Sequence, residues 1–280
     1  MLERIRRRFS PGSSPAAGDI SPDDALPKWT QEAHALGLRD AYLSGFYRTA
    51  AGEVYSGVPV GPDDVVLDVG CGEGGALAYC AGMGARVIAV DHDPTTVAKA
   101  ETLIRDRGTG EKDFLVASAD ALPLPDRTAS RILCMEVLEH VADPRTVLSE
   151  LARVGQPGAL YLLTVPDPRG EAMLEVLGPQ SYFEPPNHIR IIGRDEFEDL
   201  VTGAGLHVIS HDYYGFYWLF WLALCWSRDV PTDGPQDDTL FYWAKTWAAL
   251  LDSPGGPEVQ RTMDRFMAKS QIIVARKPTE

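Results

Sequence analysis

The sequence predicts an α/β fold built on one parallel, doubly wound sheet. Three observations predict it. Apolar runs of strand length alternate with helical stretches, and a glycine-rich turn directly follows the first run. The 280 residues, 45% of them hydrophobic, fit one large core with insertions better than two full domains.

The elements follow in order. Met1 to Phe9 is basic and partly apolar and gives way to Ser10-Pro11-Gly12-Ser13-Ser14-Pro15, so residues 1–26 are expected to be a flexible basic terminus with only weak affinity for anionic lipid. From Pro27 to Tyr55, Trp29, Ala33, Leu36, Tyr42, Leu43 and Tyr47 track a 3.6-residue period. This predicts a helical cap over residues 27–60. Gly61-Pro62-Asp63-Asp64 punctuates the chain, and Val65 to Gly70 is an apolar run of the kind found in buried parallel strands. Arg86 to Asp91 is a second strand, Pro94 to Arg107 a helix opened by proline, and Phe114 to Ala117 a third strand. Arg131 to Met135 is the fourth, Pro144 to Val154 a helix, and Ala159 to Val165 the fifth. A helix over Arg194 to Ala204 leads to a sixth strand near Leu206 to Ile209, and Gln271 to Ala275 is a late seventh. The long stretch between the last two strands far exceeds an ordinary loop and predicts an inserted lid subdomain, residues 213–268, within a domain of residues 27–280.

Composition limits the partners. Twenty-six Lys+Arg against forty Asp+Glu give a formal charge of -14, which repels phosphate backbones and argues against a nucleic-acid substrate. Cys71, Cys80, Cys134 and Cys225 lie far apart with no C-x-x-C pair, and no secretory leader is read at the start, so reduced cytoplasmic thiols are expected. Tyr213 to Trp226 carries no charge and is apolar all round, yet is too short to span a bilayer. It is expected as a lid core, with an acceptor pocket, a homodimer contact or peripheral membrane docking through residues 213–247 as the other readings.

The chemistry concentrates in Asp68-Val69-Gly70-Cys71-Gly72-Glu73-Gly74-Gly75, between a strand and a helix. Glycines let such a turn pass close under a ligand, where a Cβ would collide. Gly70 to Gly75 also satisfies the dinucleotide pattern G-x-G-x-x-G, so the loop alone is ambiguous. Neighbouring acids decide. Asp68 would repel a pyrophosphate but suits the ammonium group of S-adenosyl-L-methionine (SAM). Asp91 ends the second strand, where an acid can take both ribose hydroxyls, and Asp120 is placed to accept from the adenine amine.

These residues resemble the class I SAM-dependent methyltransferase superfamily. Asp68-Val69-Gly70-Cys71-Gly72 is similar to its first motif, the strand ending in Asp91 to its second, and Ala119-Asp120-Ala121-Leu122-Pro123 to its adenine-side segment. Met135-Glu136-Val137-Leu138-Glu139-His140-Val141 resembles the segment after the fourth strand in ubiquinone-biosynthesis O-methyltransferases. The resemblance covers roughly residues 64–208 and the last strand. It implies a Rossmann-like seven-stranded sheet of order 3-2-1-4-5-7-6 with strand seven antiparallel. The expected cofactor contacts are Asp68, Gly70, Cys71, Gly72, Gly74, Asp91, His92, Asp120, Ala121 and Glu136, with S-adenosyl-L-homocysteine as the cofactor product.

On the acceptor side, Glu136, Glu139 and His140 at i, i+3 and i+4 would share one helical face. They could hold a divalent ion, although no metal is expected to take part; alternatively His140 acts as a base, or Glu139 and His140 merely brace a helix. His188, in Asn187-His188-Ile189-Arg190, is the other candidate base, or ties down a loop. The expected reaction is methyl transfer to an oxygen, less readily a nitrogen or carbon, of a hydrophobic small molecule. A nicotinamide-dependent oxidoreductase is the competing enzyme, although Tyr-x-x-x-Lys is missing and Asp68 is misplaced for it. A non-catalytic SAM-binding or assembly protein is the alternative outside catalysis.

Overall fold

The computed structural model describes residues 28–231 and 237–279, the side chains of 28–34 excepted. The expected flexible terminus, residues 1–26, lies outside the described residues. Helix α1 (Lys28–Leu43) begins the fold. The helical cap expected over 27–60 is helical only in this first half. At Gly45 the backbone takes φ +107°, and Gly52 and Gly57 also adopt positive φ. Those turns cut the segment into a three-stranded antiparallel meander, β1 (Phe46–Arg48), β2 (Glu53–Tyr55) and β3 (Val58–Pro59). Its aromatic and branched residues Phe46, Val54, Tyr55 and Val58 turn inward, which favours strands over a continued helix.

The main sheet starts with β4 (Val65–Val69), followed by α2 (Gly75–Gly82), β5 (Arg86–Asp91), α3 (Pro94–Ile104) and β6 (Lys112–Val116). The second half supplies β7 (Ala129–Met135), α4 (Pro144–Val154) and β8 (Gly155–Pro166). Then come α5 (Pro168–Leu177), α6 (Arg194–Gly203) and β9 (His207–Tyr214). The inserted helices α7 (Phe216–Ser227), α8 (Asp238–Asp252) and α9 (Gly256–Phe266) precede β10 (Ser270–Arg276). The order across the sheet is β6-β5-β4-β7-β8-β10-β9, with β10 antiparallel to both neighbours, which is the expected 3-2-1-4-5-7-6.

Three helices start on the same dipeptide. Asp93, Asp143 and Asp167 each cap a helix whose first residue is Pro94, Pro144 or Pro168, the carboxylate accepting from the second helical amide at 2.9, 2.9 and 3.0 Å. The third, α5, was not among the expected elements.

Strand periodicity divides the core into two layers. Leu67 and Val69 of β4 join Ile88, Ile132, Tyr161 and Phe197 on the face covered by α4 and α6. Val66, Val87, Ala89, Leu133 and Leu162 join Leu77, Ala100 and Ile104 on the opposite face, under α2, α3 and the meander. Asp68 has the parity of Val66 and so faces this second layer.

The insertion is narrower than expected. β9 continues to Tyr214, Gly215 turns with φ +86°, and the inserted helices run from Phe216 to Phe266. Phe216, Tyr217, Trp221, Cys225 and Trp247 are buried with Leu36 of α1, so packing inside the chain accounts for the aromatic stretch. No helix among the described residues is long and apolar enough to cross a membrane.

Candidate active site

All the predicted cofactor residues but Glu136, which follows β7, lie at or just beyond the carboxyl ends of β4, β5 and β6. Gly70, Gly72 and Gly74 adopt φ of +73°, +56° and +85°. Gly70 and Cys71 donate their amides to the Val90 carbonyl at 2.8 and 3.0 Å, tying the loop to the next strand. The glycines answer partly to the protein itself. A Cβ on Gly70 would lie 2.3 Å from Val137 Cγ2, and one on Gly74 would lie 2.6 Å from Ile104 Cδ1. At these two positions the collision is with neighbouring side chains, whereas the sequence suggested a ligand.

Asp91 is fully buried, and its carboxylate accepts from the Gly72 amide at 3.2 Å and the Asp93 amide at 3.1 Å. That orients it beside the glycine loop. His92 is largely exposed, with Nδ1 3.2 Å from Asp91 Oδ1. Cys71 is buried, its thiol 3.5 Å from the Gly72 carbonyl. Asp120 lies exposed in the turn after β6, where the Ala121 amide donates to Ser118 at 3.2 Å.

Asp68 decides which ligand this crevice suits. Burial, and secondarily the charge of Asp91, raise its pKa to about 7. Two acids crowded on adjacent strands are strained by each other and by lost hydration. A cationic ligand relieves that strain, while a pyrophosphate would worsen it. The residues present therefore fit a cationic nucleoside better than a phosphorylated one.

The segment after β7 forms the other wall. Glu136 sits at φ +55°, donates its amide to the Thr164 carbonyl at 2.9 Å and accepts from Thr164 Oγ1 at 3.0 Å. Lys269 Nζ pairs with its second oxygen. Burial alone would raise the Glu136 carboxyl, but Lys269, with help from His188, holds it below the usual range. Leu138–His140 is a single 3-10 turn. The positive φ and this short turn overturn the expectation that Glu136, Glu139 and His140 share one helical face. Glu136 swings to Lys269, and His188 takes its place in the cluster.

Glu139, His140 and His188 bring one donor atom each within 4.8 Å of one another. His140 Nδ1 lies 2.9 Å from the Asn187 carbonyl, so that nitrogen carries hydrogen, and Nε2 faces Glu139 Oε1 at 3.4 Å. The His188 ring stands edge-on to it with centroids 5.0 Å apart. His188 Nδ1 is 2.8 Å from buried Glu171, which also accepts from Tyr182 Oη at 3.3 Å. Such a set can receive an acceptor hydroxyl or a divalent ion. Sequence reasoning missed Glu171 and Lys269. The Asp167-Pro168 helix start could have revealed the helix that carries Glu171, whereas Lys269 has no local signature.

The profile of the methyltransferase domain family matches residues 67–163, from the glycine-loop strand through β8. A ubiquinone biosynthesis O-methyltransferase of Cereibacter sphaeroides is 30% identical over 172 residues, covering 59% of this chain and 69% of that protein. A probable chloroplastic tocopherol O-methyltransferase of Oryza sativa is 36% identical over 110 residues, 36% of this chain but only 30% of that protein. The chain thus spans less than a third of that longer relative. Geranyl diphosphate C-methyltransferase of Streptomyces coelicolor, solved with Mg2+, geranyl diphosphate and S-adenosyl-L-homocysteine, superposes with a TM-score of 0.57 at 17% identity, over 91% of this chain and 84% of that one, which shows the shared fold. With an acid-lined glycine crevice on this sheet and a relative matched over most of its length, the chain belongs to the SAM-dependent methyltransferases.

Proposed function

We propose that the protein methylates an oxygen of a hydrophobic small molecule, with His188 taking the proton from the acceptor hydroxyl. The observation that carries this reading is the buried Glu171–His188 pair at 2.8 Å. With Nδ1 donating to Glu171, His188 turns a basic Nε2 toward the cluster, and the carboxylate stabilises the imidazolium that forms. Bound SAM supplies an electrophilic methyl on a sulfonium. The protein aligns the two partners and keeps water away. Tyr182, its ring 4.3 Å from that of His188, ties the histidine to a buried apolar cluster with Leu174, Leu219, Leu222 and Ala223. The names of the rice and Cereibacter relatives, both O-methyltransferases, support oxygen as the target.

The test supplies labelled SAM with phenols, catechols and matched amines, and locates the label by mass spectrometry. His188→Ala is expected to slow oxygen methylation about 10²- to 10⁴-fold while SAM binding is unchanged. A chelator is expected to leave the rate intact. Label on nitrogen alone, or full turnover in the variant, would overturn the base assignment; loss with chelator and recovery with a divalent ion would favour an ion at Glu139, His140 and His188.

A further inference from the structure

Tyr47, in the meander, carries two costs at once. Its backbone adopts φ +52°, a region bulky side chains avoid. Its hydroxyl is buried and finds no hydrogen-bond partner among the described residues. A buried hydroxyl left unpaired is unfavourable, and a strained residue that gains nothing inside the protein is the kind a ligand accounts for. Substituting phenylalanine would keep the ring packing and remove the unpaired group, so fold stability alone does not call for the tyrosine.

Its location says which ligand. The ring lies 5.3 Å from that of Tyr79 on α2, the helix that the glycine loop opens. Tyr47 belongs to the same buried cluster as Cys71 of the loop, Cys80 and Ala76 of α2, and Met135 at the end of β7. That cluster fills the face of the sheet toward which Asp68 points. The hydroxyl senses Asp68 and Tyr214, and burial first, then those neighbours, keeps it protonated. It is a neutral donor on the face of the sheet toward which Asp68 points.

Asp68 and Asp91 lie buried on neighbouring strand ends in this region, whereas the charge of Glu136 is met by Lys269. The two aspartates suit an ammonium or sulfonium and repel a carboxylate. The amino-acid end of the cofactor carries both an ammonium and a carboxylate, so the carboxylate needs a donor that adds no further negative charge. We propose that Tyr47 is a cofactor-binding residue, its hydroxyl donating to the methionine carboxylate of SAM beside Asp68. The N-terminal meander is then part of the cofactor seat, and its strained tyrosine is held for binding.

The test measures equilibrium affinity, by calorimetry, of wild type, Tyr47→Phe and Asp68→Asn for S-adenosyl-L-homocysteine and for methylthioadenosine, which lacks the amino-acid end. Tyr47→Phe is expected to weaken S-adenosyl-L-homocysteine about tenfold or more, leave methylthioadenosine unchanged and keep the melting temperature. Unchanged affinity for S-adenosyl-L-homocysteine, or equal losses for both ligands, would overturn the assignment. Asp68→Asn separates two failures. If it weakens binding while Tyr47→Phe does not, only the tyrosine is misassigned; if neither does, the amino-acid end lies elsewhere and both assignments fall.

Discussion

Asp68 and Asp91 stand on adjacent parallel strands, and their difference shows how surroundings allot roles to identical side chains. Asp91 is braced by two backbone amides, whereas burial and the charge of Asp91 raise Asp68 to about 7. A cofactor ammonium beside Asp68 would favour the carboxylate form and expel its proton, so that affinity would rise with pH until that proton is gone. Titrations of SAM between about pH 6 and 8 should show this increase, and Asp68→Asn should flatten it; a flat wild-type profile would refute the coupling. Asp91→Ala should weaken SAM by roughly 1.5–3 kcal/mol, the worth of charge-assisted hydrogen bonds, measurable by the same titration. The two acids were legible in the sequence because each lies at or next to the end of a short apolar strand. Glu171 was not, since its importance comes from meeting His188 across 17 positions, a pairing that no local pattern encodes.

Among elements, the cap shows a second use of buried acid. Asp40 of α1 accepts from Trp247 Nε1 of α8 at 2.8 Å and from Gln260 Nε2 of α9 at 3.1 Å, while Asp264 accepts from the Phe216 amide at 2.9 Å. Burial raises Asp40 to about 7, and burial followed by the charge of Asp40 raises Asp264 as well. Each binds a proton more tightly folded than unfolded. Their stabilisation is therefore complete below the unfolded pKa and is lost as pH rises through the folded one. The melting temperature should fall between about pH 4 and 7, and Asp40→Asn should raise it at the upper end. An equal fall in the variant would remove Asp40 from the account. Strand and helix positions in the central sheet were readable from periodicity, down to the Pro144–Val154 helix. The meander was misread because Phe46 and Tyr47 continue a helical spacing, while Gly45, Gly52 and Gly57 decide the backbone. The metal trio failed for a related reason: a 3.6-residue period was assumed where Glu136 leaves helical geometry altogether.

For the whole molecule, a formal charge of -14 and an acid-lined crevice act in the same direction. Both disfavour phosphorylated ligands and favour a cationic one. Saturating S-adenosyl-L-homocysteine, at about a hundred times its Kd, should stabilise the fold by about 2.7 kcal/mol and raise the melting temperature by roughly 5–10 °C. Reduced nicotinamide nucleotides should give no shift in the same thermal scan; a comparable rise with them would reopen the dinucleotide reading of Gly70 to Gly75.

β10 lies between β8 and β9, although it follows both in the chain. During synthesis, β9 emerges with its only ladder partner still unmade, and the ribosome must add the intervening greasy helices before that partner appears. Until Arg276 leaves the exit tunnel, five tryptophans trail behind an open sheet edge. Nascent chains of this design expose apolar helices and an unpaired edge together, and arrest just short of the last strand would leave them sticky.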